Sequence, residues 1–369
     1  MKVSIICPFV YPLMAPELNI PSSGGAEAQL KAIGFKLAEE GHDISYVVND
    51  YGQKDCEIIN NAAIYKSDLR YLGGSNKNLP SDWFNLWSTL KRIDADVYML
   101  KLPRHLLLPV GLFCRFNKKK LIFIGQIDQD VDLKFIRQQE GALPFWMYRI
   151  GIKCVDQIIA QNNYQKKGFE SVFDKPSSVI KNTISLDVCP DIIKQRYILW
   201  VGNSLQKKQP KFFLKLAQSL PDLKFKMIMA PASGGEHEEV EALAKNIDNL
   251  DFIGFVPMEK IAKYYAGADI FISTSLREGF PNTFIQAWQH GTPVISLNVD
   301  PDGLIKTRNL GRLSGSLEIM SEDVKTFILD KALREQAGDN ALHYVNEEHS
   351  LSSVAGKYTN LIKGLLGDA

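Results

Sequence analysis

Glu278-Gly-Phe-Pro-Asn282 stands between an apolar, β-branched run, Ala268-Asp-Ile-Phe-Ile-Ser-Thr274, and a stretch that reads as a short helix from about Thr283 to His290. The run has the character of a strand buried on both faces. Asn282 is of the type that caps a helix amino end, and Gly291 followed by Pro293 closes the helix before a strand at Thr292–Leu297. A strand end would thus deliver a carboxylate and a glycine to an open helix terminus, whose free N–H groups and positive pole suit a phosphate. A carboxylate beside an anion site needs a different task, and accepting hydrogen bonds from sugar hydroxyls is the natural one. An ordinary strand-to-helix loop with a surface glutamate fits the same residues equally well.

Three further loops could do chemistry. Asn203-Ser-Leu-Gln-Lys-Lys-Gln-Pro210 follows a strand at Tyr197–Gly202 and offers two lysines, as phosphate ligands or as a solvated basic loop. Gly24-Gly25 precedes a helix from about Ala26 to Glu40, after a first strand at Val3–Cys7. Without Cβ atoms, backbone N–H groups can approach an anion closely, although a flexible turn explains two glycines as well and Gly-x-Gly-x-x-Gly is not present. Gln126-Ile-Asp-Gln-Asp-Val-Asp132 ends the strand Lys120–Gly125, and its alternate aspartates could hold a divalent metal or bind nothing.

Taken together, Glu278-Gly-Phe-Pro-Asn282, Gln286-Ala-Trp288 and Gly291-Thr-Pro-Val294 resemble the signature of retaining glycosyltransferases of family 4. The resemblance covers nearly the whole chain and implies the GT-B architecture: α/β, with two Rossmann-like, doubly wound parallel-sheet domains facing an interdomain cleft. It implies that Glu278 contacts the donor sugar and that Gly279, Phe280, Pro281, Asn282 and Thr283 line the donor site. Gly24, Gly25 and Glu27 match the family's phosphate-contacting Gly-Gly-x-Glu. Gly202 matches the glycine, and Lys208 the lysine, of the loop that holds the donor diphosphate. Phe255 and Val256 fall where the base is contacted. Two positions depart. Asn203 replaces a bidentate, permanently charged arginine, with Lys207 as a neighbouring cation. Gln286 replaces a second glutamate that takes ribose hydroxyls, and an amide oxygen accepts without charge assistance. Because GT-B enzymes neutralise the leaving phosphate with basic groups and helix ends, the resemblance implies no metal. It leaves the loop at Gln126 and Asp128 to line the acceptor pocket.

Composition sets the bounds. At 369 residues the chain suits two domains, and a formal net charge of +1 argues against a nucleic-acid partner. Five scattered cysteines (Cys7, Cys56, Cys114, Cys154, Cys189) lack a Cys-x-x-Cys pair, which fits reduced thiols in the cytosol. The longest apolar run, near Leu106–Cys114, is too short to span a bilayer, and Pro8 and Pro12 interrupt the amino-terminal apolar stretch that superficially resembles a signal peptide.

Strand, glycine loop, helix and strand (Val3–Cys7 to Asp43–Val48) form a βαβ signature. We expect an acceptor domain at 1–188 and a donor domain at 189–350, with a linker near Cys189-Pro190 and a final helix, 351–369, returning to the first domain. Residues 53–93 carry no readable chemistry. From Val97 to Ile127 there is no acidic residue, yet Lys101, Arg104, Arg115 and Lys118–Lys120 alternate with apolar residues. Residues 101–120 therefore read either as a peripheral contact with an anionic membrane or as a core helix with a solvated cationic end.

The expected activity is transfer of a hexosyl group, with retention and without metal or cofactor, from a UDP- or GDP-sugar to a glycan or lipid-linked glycan. Bacterial surface polysaccharide synthesis, in the cytoplasm or at the inner face of the membrane, is its expected setting. The alternatives are a nucleotide-sugar binding module weakened by Asn203 and Gln286, or a sugar-nucleotide epimerase on the same fold.

Overall fold

The computed structural model describes residues 1–18, 25–68, 79–101, 103–183 and 194–367. The chain divides into two compact units, Met1–Thr183 with Leu351–Ala369, and Ile184–Ser350. The expected linker at Cys189-Pro190 and the glycine Gly24 lie outside the described residues.

The first unit is built on an eight-stranded sheet: β1 (Lys2–Ile6), β2 (Asp43–Val48), β3 (Cys56–Ile59), β4 (Ala62–Lys66), β5 (Val97–Leu100), β6 (Lys120–Ile124), β7 (Gln157–Ala160) and β8 (Ser177–Val179). Their spatial order is β3-β4-β2-β1-β5-β6-β7-β8, parallel except for β3 against β4. Alternation along each strand feeds two cores. Val3 and Ile5 enter one face and Ile6 the other, while Val97 and Met99 part from Tyr98 and Leu100 in the same way.

The helix Gly25–Glu39 lies on the first face because Gly34 carries no side chain. A Cβ there would sit 2.0 Å from the Tyr46 hydroxyl, which donates to the carbonyls of Leu30 and Lys31 at 2.9 and 3.0 Å. The terminal helix Leu351–Leu366 buries Val354, Ala355, Tyr358 and Ile362 in the same core.

The β3–β4 hairpin is absent from the sequence reading. Ile59 pairs with Ala62 across Asn60 and Asn61, both at positive φ (48° and 62°), which is the type I′ turn that matches strand twist. Asn60-Asn61 is its signal in the sequence.

The second unit carries β9 (Ile198–Asn203), β10 (Phe225–Ala230), β11 (Leu250–Gly254), β12 (Ile270–Ser273), β13 (Val294–Ser296) and β14 (Gly311–Leu313). All are parallel, in the order β11-β10-β9-β12-β13-β14. From β9 the chain winds outward to β10, and from β12 it winds the opposite way to β13. Loops leaving the carboxyl ends of these two neighbours therefore diverge and open a crevice, the place where open α/β sheets bind ligands.

Candidate active site

Both loops singled out in the second unit leave that crevice. The Asn203–Pro210 loop follows β9, and the Leu276–Pro281 loop follows β12. Although 70 positions separate them in the chain, Lys208 Nζ and Glu278 Oε1 meet at 2.6 Å as an ion pair. Their side chains keep 17% and 15% of their surface, so the pair is largely withdrawn from water yet reachable. The contact lacks hydrogen-bond geometry at the carboxylate oxygen.

The backbone beneath the pair is tightly specified. Trp200 Nε1 donates to Thr274 Oγ1 at 2.9 Å, and that hydroxyl donates to the Lys208 carbonyl at 2.7 Å. Leu276 N donates to the Lys207 carbonyl at 2.8 Å, tying one loop to the other. Gly202 keeps the strand end against the indole, since a Cβ there would fall 2.7 Å from the Trp200 ring. Trp200 and Thr274 were not recognised as positioning residues, because their roles depend on strand adjacency that the sequence does not display.

The remaining donor-loop residues divide between support and access. The helix runs Asn282–Trp288 and its N-cap is Pro281, which corrects the expected Asn282 cap and Thr283 start. Phe280 and Pro281 are buried, and the Phe280 ring packs 5.0 Å from His349 and 6.3 Å from Trp288. Gly279, Asn282 and Thr283 remain partly accessible. Phe255 is 63% exposed and Val256 half-buried just past the end of β11.

Two departures from the family pattern acquire a structural meaning. Asn203 Oδ1 accepts from Leu205 N at 3.3 Å, so this side chain folds onto its own loop instead of extending as an arginine would. Gln286 is not presented to solvent with the others. It is 4% exposed, and its amide accepts from the Tyr265 hydroxyl at 2.8 Å and lies 3.4 Å from Met258 Sδ.

In the first unit the corresponding crevice lies at the carboxyl ends of β1 and β5, where the winding reverses. Gly25 and Glu27 form the first turn of the helix Gly25–Glu39. Lys101, the first cation of the segment read either as a membrane contact or as a core helix, is 3% exposed and donates to Gln29 Oε1 at 2.8 Å. Burial lowers its pKa to about 8, against the opposing pull of Cys7, Glu27 and Asp130. Lys194, in the second unit, is likewise lowered to about 8 by burial.

Both lysines sit below the value of about 10.4 in an unfolded chain. Above pH 8 the unfolded chain thus holds protons that the folded chain has released, and stability rises with pH. The buried thiols Cys7 and Cys114, whose pKa values burial pushes up, act in the opposite sense above pH 9. Urea midpoints should climb between pH 8 and 9, and the double variant Lys101→Met/Lys194→Met should flatten that climb.

The acidic loop after β6 is structural at its centre. Arg104, 8% exposed, pairs with Asp130 and Glu140. The other Asp130 oxygen accepts from the backbone N–H groups of Gln126 and Ile127. Asp132 caps the helix Leu133–Glu140, accepting from Lys134 N and Phe135 N at 3.0 Å. Asp128 Oδ1 accepts from Asn162 Nδ2 at 2.9 Å and Gln165 Nε2 at 3.3 Å. Each aspartate is thus spent separately, and among the described residues no group of three His, Cys, Asp or Glu could hold a metal. Gln126 and Asp128 both stand partly accessible at the carboxyl end of β6. Behind them lies an amide network the sequence reading missed, with Gln161 Nε2 donating to the Gly125 carbonyl and Asn182 Nδ2 to Gln161 Oε1.

Residues 195–327 match the family described as "Glycosyl transferases group 1". An uncharacterised glycosyltransferase of Haemophilus influenzae is 23% identical over 367 residues, covering 94% of this chain and 98% of that one. The α-galactosylglucosyldiacylglycerol synthase of Streptococcus pneumoniae is 28% identical over 169 residues, 42% of this chain and 44% of that one. Among solved structures, Anabaena HepE in complex with UDP-glucose superposes with a TM-score of 0.71 at 14% identity, covering 99% of this chain and 100% of that one.

Proposed function

We propose, for a chain that belongs to the group 1 glycosyltransferases and has their GT-B fold, that it transfers a hexosyl group with retention from a UDP- or GDP-sugar. The acceptor is a hydroxyl of a glycan or lipid-linked glycan, as in bacterial surface polysaccharide synthesis. The observation that carries this reading is the pairing of Lys208 with Glu278 at the divergence of β9 and β12. A cation and a carboxylate there match the two needs of a nucleotide sugar: charge to hold the diphosphate, and an acceptor to orient sugar hydroxyls.

In this reading the diphosphate draws Lys208 away from Glu278, and the freed carboxylate turns to the sugar. Lys208 then stabilises the charge that grows on the leaving nucleoside diphosphate. Backbone N–H groups of the Gly279–Thr283 segment help, and the base lies on Phe255 and Val256. The loop from Ser273 to Thr283 offers no second carboxylate beside Glu278, and this reading does not use the glycosidase pair, whose carboxyl groups stand about 5 Å apart. Front-face return is therefore the step we favour: a phosphate oxygen of the departing diphosphate takes the acceptor proton as the new glycosidic bond forms on the face the nucleotide leaves. No metal or organic cofactor enters this scheme. UDP-glucose bound to HepE and the glycolipid product named for the pneumococcal relative support the donor and acceptor classes.

Incubating the protein with UDP- and GDP-sugars and a glycan acceptor, and following the anomeric proton by NMR, tests the proposal. An axial donor giving an axial product supports it, and inversion refutes the retaining step. A second reading, a nucleotide-sugar binder with weakened catalysis, draws on the buried Gln286 amide and the folded-back Asn203. Tight binding with no release of nucleoside diphosphate would favour it.

A further inference from the structure

Glu278 stands on a short run of chain that the core does not grip directly. Leu276 and Arg277 are exposed and Glu278 and Gly279 half-buried, so no side chain from 276 to 279 is seated in the core. The run is fixed at its two ends instead. On one side Leu276 N donates to the Lys207 carbonyl at 2.8 Å. On the other, Phe280 is 6% exposed and is the first side chain after Glu278 to enter the core. How the Phe280 ring is held therefore decides how the carboxylate two residues earlier is aimed.

Two rings hold it. Trp288, at the end of the helix Asn282–Trp288, stands 6.3 Å away, and its Nε1 donates to the Leu310 carbonyl at 3.3 Å. His349 comes from far along the chain, as C-cap of the helix Lys331–Glu348, and lies 5.0 Å from the Phe280 ring centre. It is 1% exposed, and its backbone N–H donates to the Val345 carbonyl at 2.9 Å. The imidazole plane is set as well. Nε2 lies 3.1 Å from the Tyr344 hydroxyl, and the two rings meet edge-on at 5.2 Å. Tyr344 in turn stands perpendicular to Trp288 at 5.6 Å, which closes a ring of four aromatic groups around Phe280. Burying an imidazole costs more than burying a leucine or a phenyl ring, so filling space does not by itself account for His349. The contact with Tyr344 fixes the ring's orientation, which a leucine could not do.

We infer that His349 is a positioning residue for the transfer: by clamping Phe280 it sets the turn of chain on which Glu278 stands. The inference rests on the proposed transfer and on the part of Glu278 in it. His349 itself touches neither the donor nor the reacting atoms. Its contribution is to keep the carboxylate on a fixed path between Lys208 and the sugar hydroxyls, since a small misplacement of an orienting group costs turnover far more than binding.

Turnover of the full-length protein with UDP- and GDP-sugars and a glycan acceptor tests it. His349→Ala should lower kcat about tenfold to a hundredfold, while the donor KM and the dissociation constant of UDP or GDP rise by no more than about twofold, because Lys208 is untouched. His349→Phe, which keeps a ring against Phe280, should regain most of the lost turnover and guards against an alanine variant that fails to fold. The decisive reading is coupling. In a Glu278→Gln background, His349→Ala should slow turnover by no more than about twofold, since the group it positions is already gone. Full turnover by His349→Ala, nucleotide affinity that falls in step with turnover, or the same fold-loss in both backgrounds overturns the inference and leaves His349 as core packing. A natural protein that turns over none of the sugar nucleotides refutes the transfer reading and this role with it, an outcome seen before any substitution is made.

Discussion

Glu278→Gln is expected to bind nucleoside diphosphate more tightly than the natural protein while turning over sugar nucleotide about 10²–10³-fold more slowly. The Glu278 carboxylate engages Lys208 at 2.6 Å, so a diphosphate held by Lys208 must compete with it. A glutamine of the same shape withdraws the competing charge. The expected gain is about 1 kcal/mol, several-fold in dissociation constant, as for a partly exposed ion pair. The loss in turnover has a separate origin. An amide accepts from sugar hydroxyls more weakly than a carboxylate and cannot strengthen as charge develops on the sugar ring. Calorimetry with UDP or GDP, and release of the nucleotide from its sugar, read the two effects independently. A variant that loses both binding and turnover would instead place Glu278 in the scaffold.

Arg104→Ala should destabilise the first unit by about 3–5 kcal/mol, the range for stripping one partner from a buried charge cluster. Asp130, 1% exposed, would then face the interior without its guanidinium, with Glu140 beside it. Because Asp130 also holds the N–H groups of Gln126 and Ile127, the loop offering Gln126 and Asp128 should loosen first. Urea unfolding measures the loss, and it should fall on the first unit only, leaving donor binding by the second intact below the transition. Arg104→Ala/Asp130→Asn should recover part of the stability, since the amide can be buried without a counter-charge. A loss under about 1 kcal/mol would show the cluster to be solvated.

What could be read from residue order alone was the succession of elements and the loops worth watching. Buried strands such as Asp43–Val48 announce themselves by a run rich in apolar and β-branched residues, and glycine and proline mark where helices stop. The meeting of Lys208 with Glu278 was reachable only through family resemblance, because strand adjacency between β9 and β12 is a tertiary fact. Burial was least legible. Lys101 and Arg104 look like surface cations in the sequence and prove to be interior, one on a glutamine amide and the other on two carboxylates. Gln286 shows the same limit from the other side, for nothing in Gln286-Ala-Trp288 reveals that Tyr265 and Met258 already claim its amide. Conversely, Leu143, Trp146 and Ile150 have core-type side chains that the fold leaves outside.

Titrating UDP and GDP calorimetrically into the natural protein, Lys208→Ala and Glu278→Gln measures most directly whether the diphosphate sits where Lys208 and Glu278 meet. The expected ranking for the nucleotide that binds is Glu278→Gln tightest, the natural protein next, and Lys208→Ala weakest by tenfold or more. Equal affinities across the three proteins, or no binding of either nucleotide to any of them, would contradict the assignment of this crevice as the donor site.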